Sequence, residues 1–106
     1  MTEAAFVLNA LARNVVDEAI ARRASLRGWV VHARNVRSNH VHVVVSAAPI
    51  PPEDVVGQFK SWGTRALRAA GALGDRRRVW TKRASTRWIN DERSLPMAVD
   101  YVLNHQ

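Results

Sequence analysis

A short valine-rich segment restricts the fold of this chain more than any other feature of its sequence. Residues 38–45 read Ser-Asn-His-Val-His-Val-Val-Val, and β-branched residues in such a run favour a strand. Successive side chains of a strand point to opposite faces, so His40 and His42 share one face and the alternating valines share the other. The pattern predicts a strand that buries valines in a core and presents two imidazoles side by side.

The two histidines have two chemical interpretations. Imidazoles at this spacing can bind one divalent cation, and a third protein ligand must then come from another part of the chain. Taken alone, a His-x-His pair is more often two surface histidines on a half-exposed strand. The rest of the sequence therefore has to decide between these interpretations.

The sequence before this strand predicts one helix and a second strand. Apolar residues at helical spacing predict a helix over residues 3–24, with Thr2 as its N-cap. Its buried face is expected to contain Leu8, Leu11, Val15, Ala19 and Ile20. Residues 29–36 are rich in β-formers, and they predict a hairpin with the strand over 40–47 through a short turn at 37–39.

The sequence after the hairpin predicts a second helix. Three prolines between residues 49 and 52 end the sheet, and Pro52 suits the start of a helix over residues 53–70. The apolar side of this helix comprises Val56, Phe59, Gly63, Ala66, Leu67 and Ala70. A basic loop over 71–78, two short extended pieces at 79–83 and 86–90, and a last helix from residue 92 complete the prediction.

The order of these elements is typical of an α+β domain with an antiparallel sheet and packed helices. The length of 106 residues suits a single domain over residues 1–106. Cysteine is absent, which excludes disulfides, a thiol nucleophile and thiolate metal sites. No apolar run approaches the length of a membrane span, and the first residues lack the basic start of a secretory signal. We therefore expect a soluble, cytoplasmic protein with no membrane partner.

The charge of the chain is strongly basic. Lysine and arginine number 16 against 9 aspartates and glutamates, giving a net charge of +7. Most of the basic residues are arginines, whose planar guanidinium binds phosphate through two hydrogen bonds. Charge alone supports equally a nucleic-acid partner and a solvated surface that is basic for unrelated reasons.

Tyr101 is the only tyrosine, and it falls on the predicted last helix. The buried face of that helix is expected to contain Leu95, Ala98, Val99 and Val102. Tyr101 and His105 lie one turn apart on a neighbouring face. A lone tyrosine is usually a core or rim aromatic. Tyr101 therefore indicates a functional site only in combination with the two histidines upstream.

Three segments in this order resemble a known family. Residues 35–46, Asn-Val-Arg-Ser-Asn-His-Val-His-Val-Val-Val-Ser, resemble the metal-binding strand of insertion-sequence-200-like and REP-associated tyrosine transposases, members of the single-tyrosine HUH endonuclease superfamily. Residues 80–88, Trp-Thr-Lys-Arg-Ala-Ser-Thr-Arg-Trp, resemble the stretch before the nucleophile helix of that family, and residues 100–104, Asp-Tyr-Val-Leu-Asn, resemble the helix itself.

The resemblance implies a site and a mechanism. His40 and His42 would bind Mg²⁺ or Mn²⁺, with the third ligand one turn after the tyrosine, which places His105 or Gln106 there. Tyr101 would attack the scissile phosphate of DNA, form a 5′-phosphotyrosine and release a 3′-hydroxyl. The covalent bond conserves the energy for rejoining, so no small-molecule cofactor is expected.

The resemblance also implies partners. They would be single-stranded or hairpin DNA and a second copy of the chain in a homodimer. Phosphate contacts are expected from Lys60, Arg65, Arg83 and Arg87. The tryptophans that could stack on unpaired bases are Trp62, Trp80 and Trp88. Burial in the core is the commoner role for each of these rings.

The fold implied by the resemblance is ferredoxin-like, with a strand before the first helix. Residues 1–25 contain no such strand, so we expect an N-terminally shortened HUH fold that lacks the first strand. The missing first strand has three explanations: a truncated gene or misassigned start, direct pairing of the strand near Trp80 with the histidine strand, or a partner subunit that fills the place of the strand. The alternative function is a truncated or domesticated relative that binds DNA without cleaving it.

Overall fold

The structure is a computed structural model that describes residues 7–38, 40–76 and 79–80. Within these ranges the order of elements is α1 (Ala10–Arg27), β1 (Val30–Val36), β2 (Val41–Ser46) and α2 (Pro52–Ala69). The two strands form an antiparallel sheet, so the α+β class is confirmed for this part of the chain. Neither described helix combines the length and the apolar character needed to cross a membrane.

Helix α1 begins later than the sequence predicted. Its N-cap is Asn9, whose side-chain oxygen accepts a hydrogen bond of 2.8 Å from the backbone N–H of Ala12. Residues 7–9 are not helical, and Thr2 lies outside the described residues. The helix ends at Gly28, which adopts the left-handed conformation with φ of 74°. The predicted span of 3–24 was therefore displaced toward the N-terminus.

The buried face of α1 also differs from the prediction. The helix buries Ala12, Val16, Ile20 and Ala24. Leu8, which precedes the helix, and Ile20 are buried as expected, but Leu11 is 63% exposed. Val15 and Ala19 are half-buried. The sequence carries two apolar stripes, and the helix buries the stripe that contains small alanines because these permit close packing against β1 and α2.

The hairpin is confirmed, with each strand slightly shorter than predicted. The ladder runs from Val36 opposite Val41 to Val30 opposite Ser46. Between Val31 and Ala33 the register shifts by one residue, which leaves His32 as the extra residue of a β-bulge. The Nε2 atom of His32 lies 2.8 Å from the Oγ of Ser46.

Both faces of β2 are buried. The valines that were predicted to enter the core do so: Val41, Val43 and Val45 belong to one cluster with the buried residues of α1 and α2. On the opposite face, Val44 is 1% exposed and His42 is 6% exposed. The face that carries the histidines is therefore closed to solvent at these two positions, whereas the sequence had suggested a half-exposed strand.

Helix α2 matches its predicted span. Pro51 is the N-cap, Pro52 occupies the first turn with two acidic residues, and Arg68 lies in the last turn, an arrangement that complements the helix dipole. The buried residues are Val55, Phe59, Gly63 and Leu67. Among the other residues expected on this face, Ala70 is exposed, and Val56 and Ala66 are half-buried. The prediction was therefore correct for Phe59, Gly63 and Leu67, which lie along the centre of the buried face.

The chain after α2 returns to the helix. Trp80 donates its indole N–H to the carbonyl oxygen of Lys60 at 2.9 Å and contacts the Thr64 hydroxyl at 3.0 Å. Val79 and Trp80 are not part of a strand. The rest of the predicted extended pieces at 79–83 and 86–90, and the predicted last helix, lie outside the described residues.

Candidate functional site

The candidate site is built on the imidazoles of His40 and His42. Their ring centroids are 4.8 Å apart and their planes are inclined by 47°. His40 immediately precedes β2 and is half-exposed, whereas His42 is the second residue of the strand and is buried. The period of the strand therefore brings the two rings together, as the sequence predicted.

Backbone hydrogen bonds fix the turn that carries His40. The N–H of Arg37 donates to the carbonyl oxygen of His40 at 2.9 Å, which closes the hairpin turn. The N–H of Leu8 donates to the carbonyl oxygen of Ser38 at 2.7 Å. The segment before α1 is thus attached to the same turn, and the position of His40 depends on both contacts.

Asn35 is a neighbour of the site to which the sequence analysis gave no role. It lies directly opposite His42 in the antiparallel ladder, so the two side chains share one face with Cβ atoms about 4.5–5.5 Å apart. The predicted turn at 37–39 would have paired residue 36 with residue 40 and placed Asn35 opposite Val41. The observed ladder instead pairs Val36 with Val41, which brings Asn35 opposite His42. A carboxamide at this position can orient the neighbouring imidazole by a hydrogen bond.

The two imidazoles fit a divalent cation in their chemistry and spacing. Neutral imidazole is a common ligand of transition-metal ions, and both rings project from one face of a single strand. Within the ranges that the structure describes, no cluster of three or more histidine, cysteine, aspartate or glutamate residues is found. The third ligand predicted from the sequence, His105 or Gln106, lies outside the described residues, as does Tyr101.

The predicted phosphate contacts on α2 are separated from the imidazoles. Lys60 is half-buried and Arg65 is exposed, and α2 packs on the valine face of β2. The structure therefore does not place these two residues on the face that carries His40 and His42. Arg83 and Arg87 lie outside the described residues.

The tryptophans differ in their surroundings. Trp62 is 38% exposed, so the expectation that it lies in the core was wrong. The guanidinium carbons of Arg23 and Arg65 both lie 4.8 Å from the centroid of its ring. Trp80 is half-buried and packs against the core, as expected. Trp88 lies outside the described residues.

Within the described residues, an antiparallel hairpin carries the paired imidazoles on one face and is backed by two helices on the other. A family model described as "Transposase IS200 like" matches residues 4–105. The chain therefore belongs to the IS200-like transposase family, and the resemblance read from its three segments is confirmed at that level. No curated protein and no solved structure matches the chain.

Proposed function

We propose that the chain is a metal-dependent endonuclease and strand transferase that acts on single-stranded DNA through a tyrosine nucleophile. The observation that carries the proposal is the juxtaposition of His40 and His42, 4.8 Å apart on one face of β2. Membership of the IS200-like transposase family supports it. We further propose that the complete sheet is that of a ferredoxin-like HUH fold, of which β1 and β2 are one hairpin.

The residues proposed to hold the cation are His40, His42 and either His105 or Gln106. A bound Mg²⁺ or Mn²⁺ supplies Lewis-acid polarisation of the scissile phosphate. The burial of His42 supports a ligand role, because an imidazole that is shielded from water and held by a strand keeps one orientation. Asn35, opposite His42 in the ladder, is proposed to orient that ring.

Tyr101 is proposed to perform the covalent step. Its phenolic oxygen loses a proton and attacks the phosphorus, and the bond between phosphorus and the 3′-oxygen breaks. The released 3′-oxygen takes up a proton, so the products are a 5′-phosphotyrosine and a free 3′-hydroxyl. A free phenol has a pKa of about 10, and a nearby positive charge would favour the phenolate that this step needs.

DNA is the proposed partner because the net charge is +7 and a basic domain attracts the phosphate backbone. Lys60, Arg65, Arg83 and Arg87 remain the proposed phosphate contacts. Because α2 packs on the valine face, Lys60 and Arg65 would meet a part of the DNA that is remote from the scissile phosphate. A homodimer is proposed as the active unit.

Covalent trapping tests the proposal. The protein is incubated with labelled single-stranded hairpin oligonucleotides and Mn²⁺, and covalent complexes are separated on a denaturing gel. We expect a shifted band that disappears with a chelator, with Tyr101→Phe and with His40→Ala. His32→Ala is the matched control, because His32 is an exposed histidine of the same hairpin that contacts Ser46 instead of the imidazole pair.

The same variants separate cleavage from binding. A band that persists in Tyr101→Phe would refute the proposed nucleophile, and a band that persists in His40→Ala would refute the metal site. If no hairpin is cleaved while gel shifts still show binding, the chain is the alternative, a relative that binds DNA without cutting it. Isothermal titration with Mn²⁺ gives an independent reading of the metal site.

A further inference from the structure

A groove lies between α1 and α2, and its volume is about 550 Å³. Aliphatic side chains from both helices form its floor, chiefly Val15, Ala19, Leu26, Ala66 and Ala69. Leu26 is 73% exposed. The groove therefore offers exposed apolar surface at its lining.

The groove continues the second apolar stripe of α1. Leu11, Val15, Ala19 and Leu26 lie on one side of the helix, because their spacing returns close to the same direction at 3.6 residues per turn. Leu11 is 63% exposed. This is the side that the sequence predicted to be buried, and the core uses the adjacent stripe instead. Val15 packs against the core from this stripe, but the core does not account for the exposed leucines at its two ends, Leu11 and Leu26.

The edges of the groove are basic. Arg22, Arg23 and Arg65 line it, opposed by the single acidic residue Glu18. Arg23 donates from Nε to the Oε1 of Gln58 at 2.9 Å, and both Arg23 and Arg65 lie over the ring of Trp62. These contacts hold two positive charges in place beside the floor, which lowers the entropy lost when an anionic group binds them.

The composition of the groove decides between possible occupants. A second copy docked symmetrically would bring the three arginines toward the same three arginines, which is electrostatically unfavourable. A nucleic acid would gain little from an aliphatic floor, and the Trp62 ring already contacts two guanidinium groups. An amphipathic helix with an apolar stripe and acidic flanks matches both the floor and the edges.

We propose that this groove docks an acidic amphipathic helix of a partner protein. The apolar stripe of that helix would cover Leu26 and Val15, and its acidic flanks would pair with Arg22 and Arg23. The surface lies on the helical side of the sheet, opposite to the face that carries His40 and His42. Docking there leaves the proposed cleavage site accessible, and the inference does not depend on the proposed function.

A designed peptide pair tests the proposal. The probe is a fluorescein-labelled helical peptide with leucines along one stripe and glutamates on both flanks, and its match carries lysines in place of the glutamates. Binding is measured by fluorescence anisotropy. We expect the acidic peptide to bind the full chain at least about tenfold more tightly than the basic one. A tenfold difference in affinity requires only a small difference in binding free energy.

Variants locate the binding surface. Leu26→Asp and Arg22→Glu should each weaken binding of the acidic peptide by about tenfold or more. Val30→Asp and Arg13→Glu are the matched controls, because Val30 is also an exposed apolar residue, at 55%, and neither residue lines the groove. Circular dichroism of each variant checks that the fold is retained.

Three results would overturn the proposal. The first is equal binding of both peptides, or no effect of Leu26→Asp and Arg22→Glu. The second is loss of single-stranded DNA binding in Leu26→Asp, which would make the groove a nucleic-acid surface. The third is a dimer in sedimentation experiments that Leu26→Asp dissociates, which would make it a self-association surface. The covalent-trapping assay tests the face that carries His40 and His42, whereas the peptide assay tests the groove. A failure of the proposed function is therefore distinguishable from a failure of the docking proposal.

Discussion

Replacing Gly63 by alanine probes how the chain is held where it leaves α2. A Cβ atom at this position would lie 3.3 Å from the Cζ2 atom of Trp80 and 3.9 Å from the Cγ1 atom of Val16. The indole cannot simply retreat, because its N–H is bonded to the carbonyl of Lys60 and contacts the hydroxyl of Thr64. The added methyl group must therefore strain the contact or break a hydrogen bond.

Gly57 provides the matched control in the same helix. A Cβ at Gly57 meets nothing within 4 Å, so Gly57→Ala should stabilise the protein by about 1 kcal/mol through helix propensity alone. Gly63→Ala gains the same amount but loses about 1–3 kcal/mol to overpacking. We therefore expect the Gly63→Ala variant to be about 1–3 kcal/mol less stable than the Gly57→Ala variant. Each 1 kcal/mol of lost stability should lower Tm by about 4–8 °C in a domain of this size.

A double-mutant cycle isolates the contact. In a Trp80→Ala background, Gly63→Ala should recover the stabilisation seen for Gly57→Ala, with a coupling of about 1–3 kcal/mol. Urea unfolding followed by far-UV circular dichroism measures all the free energies of unfolding with one probe. If Gly63→Ala and Gly57→Ala stabilise the native chain equally, Trp80 does not press on α2 and the reasoning is refuted.

Three further perturbations test the cap of α1, the histidine face and the site. Asn9→Ala should cost about 1 kcal/mol of unfolding free energy because it removes the N-cap bond, whereas Asn9→Gly should cost only a few tenths. Val44→Ala should cost about 2 kcal/mol by chemical denaturation because Val44 is 1% exposed, while Val30→Ala, at an exposed position, should cost far less. Asn35→Val should weaken Mn²⁺ binding by about tenfold or more in calorimetry if Asn35 orients His42, with Tm little changed.

The hairpin and its two histidines were predictable from sequence because strand period is strictly two. Once a valine-rich run is known to be a strand, the side on which His40 and His42 lie follows without further information. The register that places Asn35 opposite His42 was not predictable in the same way, because the predicted turn at 37–39 gives a pairing one residue away from the observed one. Local rules therefore determine most of what the structure describes at the site.

Helix α1 was harder to predict because two of its sides are apolar. Helical spacing identifies both the stripe with Leu11 and the stripe with Ala12, and hydrophobicity alone favours the one with larger side chains. Which stripe is buried depends on how closely the helix can approach its neighbours, and that depends on residues far away in sequence. The contact of Trp62 with Arg23 is equally non-local, because it joins α2 to α1.

The bulge at His32 has a consequence for how this sequence can change over evolution. Deleting a residue elsewhere in β1 would shift the register and turn the side chains beyond it to the wrong face. Deleting His32 would leave Val31 opposite Val45 and Ala33 opposite Val44, so every paired residue would keep its face. The hairpin thus contains an unpaired position where the chain can lose a residue while every paired residue keeps its partner.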